Sequence, residues 1–357
     1  MSSPPQSRWD PEVTSPVRPF RARLVHQERA ADLVTPMVDS VDVPVQQPDL
    51  DDAAYDAPVS ALYVYRQRRG SDQHVGVVCD VHREAFRDRQ VRGHEAVQPE
   101  RVAALVRHFV TAPARAELVA LLHHAGPVYT RSLAEAMSTE PLVRFDGPAG
   151  LGQEVWLVPE PTAAALADEL GAATHYIADG HHRVAATVAG WQAAGGVPEA
   201  GLPCVVYPMD GLSLSSFHRR VPGPIDAERV LEAFGGDFVV EPADGPPDCA
   251  GQFGVYVGGR WSTVTYRGER APGMAGLDVA ILHDRVLKPL GVEERVLPLR
   301  PPVEALTAAC DGDNGLLVTL APPSLDLLID VADRGEVMPP KTTYFDPKPC
   351  AGIFLRG

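Results

Sequence analysis

Tyr176-Ile177-Ala178-Asp179-Gly180-His181-His182-Arg183-Val184-Ala185-Ala186-Thr187 is the stretch whose reading decides the fold of this chain. A short apolar run stops at Asp179, Gly180 permits a tight turn, and helix-forming residues follow at once. The segment therefore predicts a strand-to-helix junction. The first turn of a helix offers backbone N–H groups without intrahelical partners and a partial positive charge, which together make an anion site. Arg183 in that turn opposes the helix dipole at a cost of a few tenths of a kcal/mol, so it and the two histidines make sense around a bound anion. The competing reading is that Asp179 only caps the helix and the histidines are solvated.

Working outward, strands are expected at Val128, Glu154 to Val158, His175 to Ala178 and Cys204 to Tyr207. Helices are expected at Thr162 to Leu170 and from Gly180 to about Ala194, and His123 and His124 are read as helical. Alternation of strand and helix predicts an α/β central region. Towards the amino terminus, Leu62 to Gln67 and Val75 to Val81 read as strands, with Arg68 to Gln73 as a hairpin loop between them. A helix is expected near Glu28 to Val34. Pro99 suits the first turn of another helix, with Val102, Leu105, Val106, Phe109 and Val110 on one face. In the last third, a hairpin turns at Gly258-Gly259, a helix runs from Leu277 to Leu290 and stops at Gly291, and helix and strand recur to Gly335. The fold class expected is α+β with a mixed α/β core. The division expected is a disordered arm over 1–17, a β-rich region over 18–88, a nucleotide-binding core over 89–222 and an α+β subdomain over 223–357.

The 357 residues leave ample chain for a core, and the 35 prolines favour many short elements over long helices. A formal charge of −15 repels phosphate backbones at long range, which argues against a nucleic-acid partner. One local anion pocket stays compatible with that charge, because screening confines surface fields to about 8–10 Å. Five scattered cysteines with no Cys-x-x-Cys pair give neither a disulfide scaffold nor a structural zinc site. No run approaches the ~20 apolar residues needed to span a bilayer, and Met1 to Val17 has no signal-peptide core, so a cytoplasmic protein without membrane contact is expected.

Two further segments carry candidate chemistry. In Val91-Arg92-Gly93-His94-Glu95, a His-Glu pair just ahead of a helix can supply a carboxylate base with an orienting partner. Gln98 stands where a His-Glu-x-x-His metalloprotease motif needs its second histidine. In Met338-Pro339-Pro340-Lys341-Thr342-Thr343-Tyr344-Phe345-Asp346-Pro347-Lys348, prolines fix the backbone while lysines and hydroxyls are presented from it, which suits phosphate or carboxylate recognition and equally an edge segment with solvated lysines. Asp39, His218 and Arg219 are lesser candidates. Walker-type, dinucleotide-binding and nucleophile-elbow glycine motifs are absent from the sequence.

Those segments resemble a large bacterial and archaeal family of unknown function related to ParB and sulfiredoxin. The resemblance rests on Ala178 to Arg183, on Met338 to Lys348, on Tyr63-Val64-Tyr65-Arg66-Gln67, on His94-Glu95 and on Leu277 to His283, and runs from Pro19 to Gly352. Free L-serine kinases of the ParB/sulfiredoxin type have a similar core. What that resemblance implies is a phosphotransferase using ATP or ADP and Mg²⁺ to phosphorylate the hydroxyl of a small molecule, free L-serine or a related hydroxy amino acid.

Carried across residue by residue, Glu95 becomes the base with His94 beside it, and Asp179 a catalytic residue and the magnesium ligand. Gly180, His181, His182 and Arg183 become the phosphate-binding residues, joined by Lys341 and Lys348. Asp39, Arg101, His218, Arg219, Thr342, Thr343 and Tyr344 are the substrate-binding candidates, and a homodimer is an expected assembly. The chain departs from the family at Pro36-Met37-Val38-Asp39-Ser40 and at Val97, both candidates for lining an acceptor pocket. A nucleotide-dependent partner-binding switch and an acceptor-independent nucleotide hydrolase stay open as alternatives.

Overall fold

The computed structural model describes residues 15–37, 51–111, 116–193, 201–300 and 302–357. The chain divides into two compact units: Met1–Arg92, Val97–Ser213 and Pro347–Gly357 form the first, and Gly93–Ala96 with Leu214–Asp346 the second. The architecture is mixed α and β, as the sequence predicts.

The first unit is built on a mixed sheet. Its order is Val91–Arg92, His175–Asp179, Val119–His123, Gly201–Pro208, Asp72–His82, Tyr63–Arg69, Gly152–Leu157 and Val143–Asp146, with Val17–Arg18 added beside Asp72–His82. The sheet therefore runs through residues on both sides of position 89. Its central strands read as continuous apolar runs because both faces are covered: Val77, Val78, Leu121, Leu122, Val205 and Val206 are fully buried. The helix Glu160–Ala172 contributes Leu166, Ala167 and Leu170 to the same core. A three-stranded sheet, Phe354–Arg356, Phe20–Leu24 and Val59–Ala61, ties the carboxyl terminus to the amino-terminal region.

Four local expectations are corrected. The hairpin loop placed at Arg68 to Gln73 is strand almost throughout: Arg69 pairs with Asp72, leaving only Gly70 and Ser71 in the turn. Gly70 sits at φ 60°, the left-handed region that two-residue hairpins require. Val128 is not in a strand. It lies in the helix Pro127–Ala136, which buries Tyr129, Leu133 and Ala136 on one face behind a proline in its first turn. Conversely, His123 ends a strand, Val119–His123, whose five residues are all buried. The arm expected over 1–17 also ends earlier, since Val17 pairs with Val81 and is buried, while residues 1–14 lie outside the described residues.

The second unit carries a six-stranded antiparallel sheet ordered Phe238–Ala243, Arg260–Tyr266, Gln252–Val257, Leu316–Leu320, His218–Val221 and Leu297–Leu299. The predicted hairpin turns at Gly258 and Gly259, both at positive φ. The helical run from Asp278 to Leu290 contains a π-helical turn, His283–Leu287, and stops at Gly291 with φ 68°. Strand Thr343–Asp346 pairs with Ser213–Ser216 in a separate ribbon.

Candidate active site

The predicted junction forms within the first unit. Strand His175–Asp179 feeds directly into the thirteen-residue helix His181–Ala193 through Gly180. Strand pairing shifts register between Ile177 and Asp179, so Ala178 is an extra residue against the neighbouring strand. Such a bulge re-aims the side chain that follows it. Asp179 uses that orientation for two cations: Lys348 Nζ lies 2.6 Å from Oδ1, and Arg183 pairs with Oδ2.

Burial alone would raise the Asp179 pKa, but Lys348 and then Arg183 reverse that and hold the carboxyl down to about 2. The same burial, helped by His182, Lys348 and Arg183 against the opposing pull of Asp179, lowers His181 to about 4, leaving it neutral near pH 7.

Arg183 is 9% exposed, and its guanidinium also donates to the Leu118 carbonyl, with Glu117 3.8 Å from its Nε. The sequence reading placed this guanidinium on an anion; here it braces the turn from within. Gly180 makes that possible. Its φ is 107°, and a Cβ there would lie 3.1 Å from both Arg183 Nη2 and Val119 Cγ2. The competing reading, in which Asp179 does no more than cap the helix, falls short, because both its oxygens face cationic side chains. His182 accepts a hydrogen bond from the Gln98 amide at 3.0 Å, tying the turn to the start of helix Pro99–Thr111.

A buried polar network that the sequence reading missed brings Lys348 to Asp179. Tyr207 donates to Gln67 at 3.2 Å, and Gln67 Nε2 donates to the Lys348 carbonyl at 2.9 Å. Tyr65 donates to Gln153, and its oxygen accepts from the Cys350 amide at 3.3 Å. Buried side-chain amides and phenols need such partners, so residues 348–350 are fixed on the sheet. The sequence carries little signal for it, because Gln67 and Gln153 stand among charged neighbours, Arg66, Arg68 and Glu154.

In the second unit, His94 and Glu95 join the Met-Pro-Pro-Lys segment. The Met338 amide donates to the His94 carbonyl at 2.7 Å, the Ala96 amide donates to the Met338 carbonyl at 3.2 Å, and Glu95 bridges to Met338 in parallel register. His94 is buried, 3.1 Å from the Thr343 hydroxyl and edge-on to Phe345. Glu95 is half-buried beside it. Two motifs read separately thus form one element, with His94 and Thr343 in contact.

The remaining candidates divide. Lys341 belongs to the second unit, where its ammonium sits 5.2 Å from the centre of the Phe217 ring; Lys348 belongs to the first. Thr342 is buried and donates to the Pro339 carbonyl at 2.7 Å, while the Tyr344 ring lies under Arg300 at 4.3 Å. His218 is a satisfied interior histidine, accepting from the Leu320 amide at 3.3 Å. Arg219 lines a cavity. Arg101 is half-buried in helix Pro99–Thr111, and Asp39 lies outside the described residues.

The residues do not fit a protein-held magnesium ion. Both Asp179 oxygens already face cations, and no group of three potential ligands gathers among the described residues. Asp179 is therefore withdrawn as a direct ligand, since Mg²⁺ requires uncommitted oxygens in near-octahedral geometry.

Comparison with known proteins agrees with the sequence resemblance. Residues 52–280 match the model of the family described as protein of unknown function (DUF1015), and the chain belongs to that family. No curated protein matches the sequence significantly. Solved structures similar to it include a free serine kinase variant in complex with ADP, 16% identical, covering 78% of this chain and 91% of that one with a TM-score of 0.41. SbnI with C-terminal truncation, from Staphylococcus aureus, is 13% identical, with 77% and 85% covered and a TM-score of 0.43. A conserved hypothetical protein from Pyrococcus furiosus is 15% identical, with 78% and 93% covered and a TM-score of 0.39. Among the described residues no helix is long and apolar enough to cross a membrane.

Proposed function

We propose that this protein is a phosphotransferase that moves a phosphoryl group from ATP or ADP to the hydroxyl of a small molecule, free L-serine or a related hydroxy amino acid. The observation that carries the reading is the Asp179–Arg183 turn: a helix amino terminus with two cations, Arg183 and Lys348, gathered on one buried carboxylate. Helix N-termini favour phosphate through their amides and dipole, and Arg183 and Lys348, held on Asp179, keep in shape the turn that presents them.

Phosphoryl transfer asks little covalent help from protein; it needs charge neutralisation and placement of the acceptor. In this reading the first turn of the helix, with His181 and His182, receives the nucleotide phosphates. Neutral His181 presents a hydrogen-bonding imidazole rather than a charge. Arg183, Lys348 and Asp179 are positioning residues that hold the turn in shape. Glu95 is the base toward the acceptor hydroxyl, and His94, fixed on Thr343, orients it.

Phosphorus NMR of the full chain with Mg²⁺, ATP or ADP and L-serine tests this. A new phosphomonoester resonance that requires both nucleotide and amino acid is the expected result. Inorganic phosphate released without an acceptor would make the protein a hydrolase, and binding without turnover would make it a switch; either outcome overturns the transfer reading.

A further inference from the structure

The second unit holds a cavity of about 240 Å³. Its wall is largely apolar, with Phe217, Leu277, Val279, Leu320 and Leu327 among the lining residues. Most polar groups along it are committed to protein partners. Arg270 pairs with Asp278, which also accepts from the Gly251 amide at 2.8 Å. The Ser216 hydroxyl donates to the Ala321 carbonyl at 2.9 Å, and Ser324 caps the helix Leu325–Arg334.

Arg219 is the exception. It is 6% exposed and spends one terminal nitrogen on the Phe217 carbonyl at 3.1 Å. Among the described residues no carboxylate lies within ion-pairing distance of it, and neither Nε nor its other terminal nitrogen has a protein hydrogen-bond partner. Its strand neighbour Arg220 shows what a compensated arginine looks like here: it pairs with Asp313 at 2.6 Å. A buried guanidinium without a counter-charge is costly, and the cost is lifted when an anion is supplied.

We infer that the cavity of the second unit is a binding site for a small organic acid, whose carboxylate pairs with Arg219 and whose apolar body lies against Phe217, Leu277 and Leu320. The planar fork of arginine matches a carboxylate through two parallel hydrogen bonds. One uncommitted cation suits a singly charged group, and the apolar wall suits a hydrocarbon body. Burial lowers the Arg219 pKa only to about 10, so it stays charged near pH 7. The inference stands independently of phosphoryl transfer, because it uses residues of the second unit alone.

Saturation-transfer NMR on the full chain with acetate, isovalerate and hexanoate, and with isovaleramide as the uncharged control, tests it. Isovalerate or hexanoate should bind, and isovaleramide should not. Arg219→Gln should weaken the acid roughly ten- to a hundredfold, the worth of a charge-assisted pair. Arg219→Lys, which keeps the charge and loses the fork, should bind more weakly yet still prefer acid to amide, so the result stands even if the glutamine variant fails to fold. Failure of every acid to bind, equal binding of acid and amide, or unchanged affinity in Arg219→Gln would each overturn the assignment. Inorganic phosphate binding at Arg219 more tightly than isovalerate would overturn it too, by making the cavity a phosphate site.

Discussion

Asp179→Asn is expected to destabilise the protein by about 3–5 kcal/mol, because it leaves the buried Lys348 and Arg183 without their shared counter-charge. At the usual size dependence, that lowers the melting temperature by roughly 5 °C. The depression of the Asp179 pKa from 3.8 to about 2 accounts for only about 2 kcal/mol of this; the remainder is the cost of turning an amide NH₂ toward buried cations where a carboxylate oxygen accepted from them. Because the folded-state value is the lower one, that contribution is fully present above pH 3.8 and is lost as pH falls through about 2. Wild type and variant should therefore differ most near neutrality, and the gap should narrow by about 2 kcal/mol as pH falls from 3.8 through about 2. Adding Lys348→Met to Asp179→Asn should recover part of the loss. A single-variant penalty under about 1 kcal/mol, at the level of an exposed pair, would contradict this account of the turn.

The second large effect is on turnover. Glu95→Gln keeps the shape of the side chain and its parallel bridge to Met338 while removing the base. Phosphoryl transfer to L-serine should drop by about 10²–10⁴, with ADP affinity unchanged, since the phosphate site is assigned to other residues. A variant that retains transfer within a fewfold of wild type removes Glu95 from the mechanism. Lost transfer together with lost nucleotide affinity would assign Glu95 to binding instead.

The junction at Gly180 was legible because it is local: an apolar run, a residue able to take positive φ and a helix start follow one another in sequence. What surrounds it was not. Lys348 reaches Asp179 from near the other end of the chain, and only the packing of Tyr65, Gln67 and Tyr207 brings it there. His94-Glu95 looked like an isolated pair until backbone bonding placed it on Met338. The motif Met338 to Lys348 looked like one binding element, yet the boundary between the units falls at Asp346, so Lys341 and Lys348 serve different surroundings.

The local errors have a plain origin. Val119–His123 is buried throughout, and a continuous apolar run of four residues ahead of His123 carries no period to separate strand from helix. The helix at Pro127 was missed because Val128 was read for its strand propensity, which tertiary packing overrides. Arg183 was correctly placed in the first helical turn, but its protein partner was not foreseen: the position of a cation is visible in sequence, whereas the carboxylate it meets depends on a bulge at Ala178.

Hydrogen exchange of the full chain with and without saturating ADP tests the central claim most directly. Backbone amides from His181 to Arg183 should exchange more slowly when nucleotide phosphates occupy the helix end. Tight ADP binding that protects other segments and leaves these amides unchanged would contradict the claim.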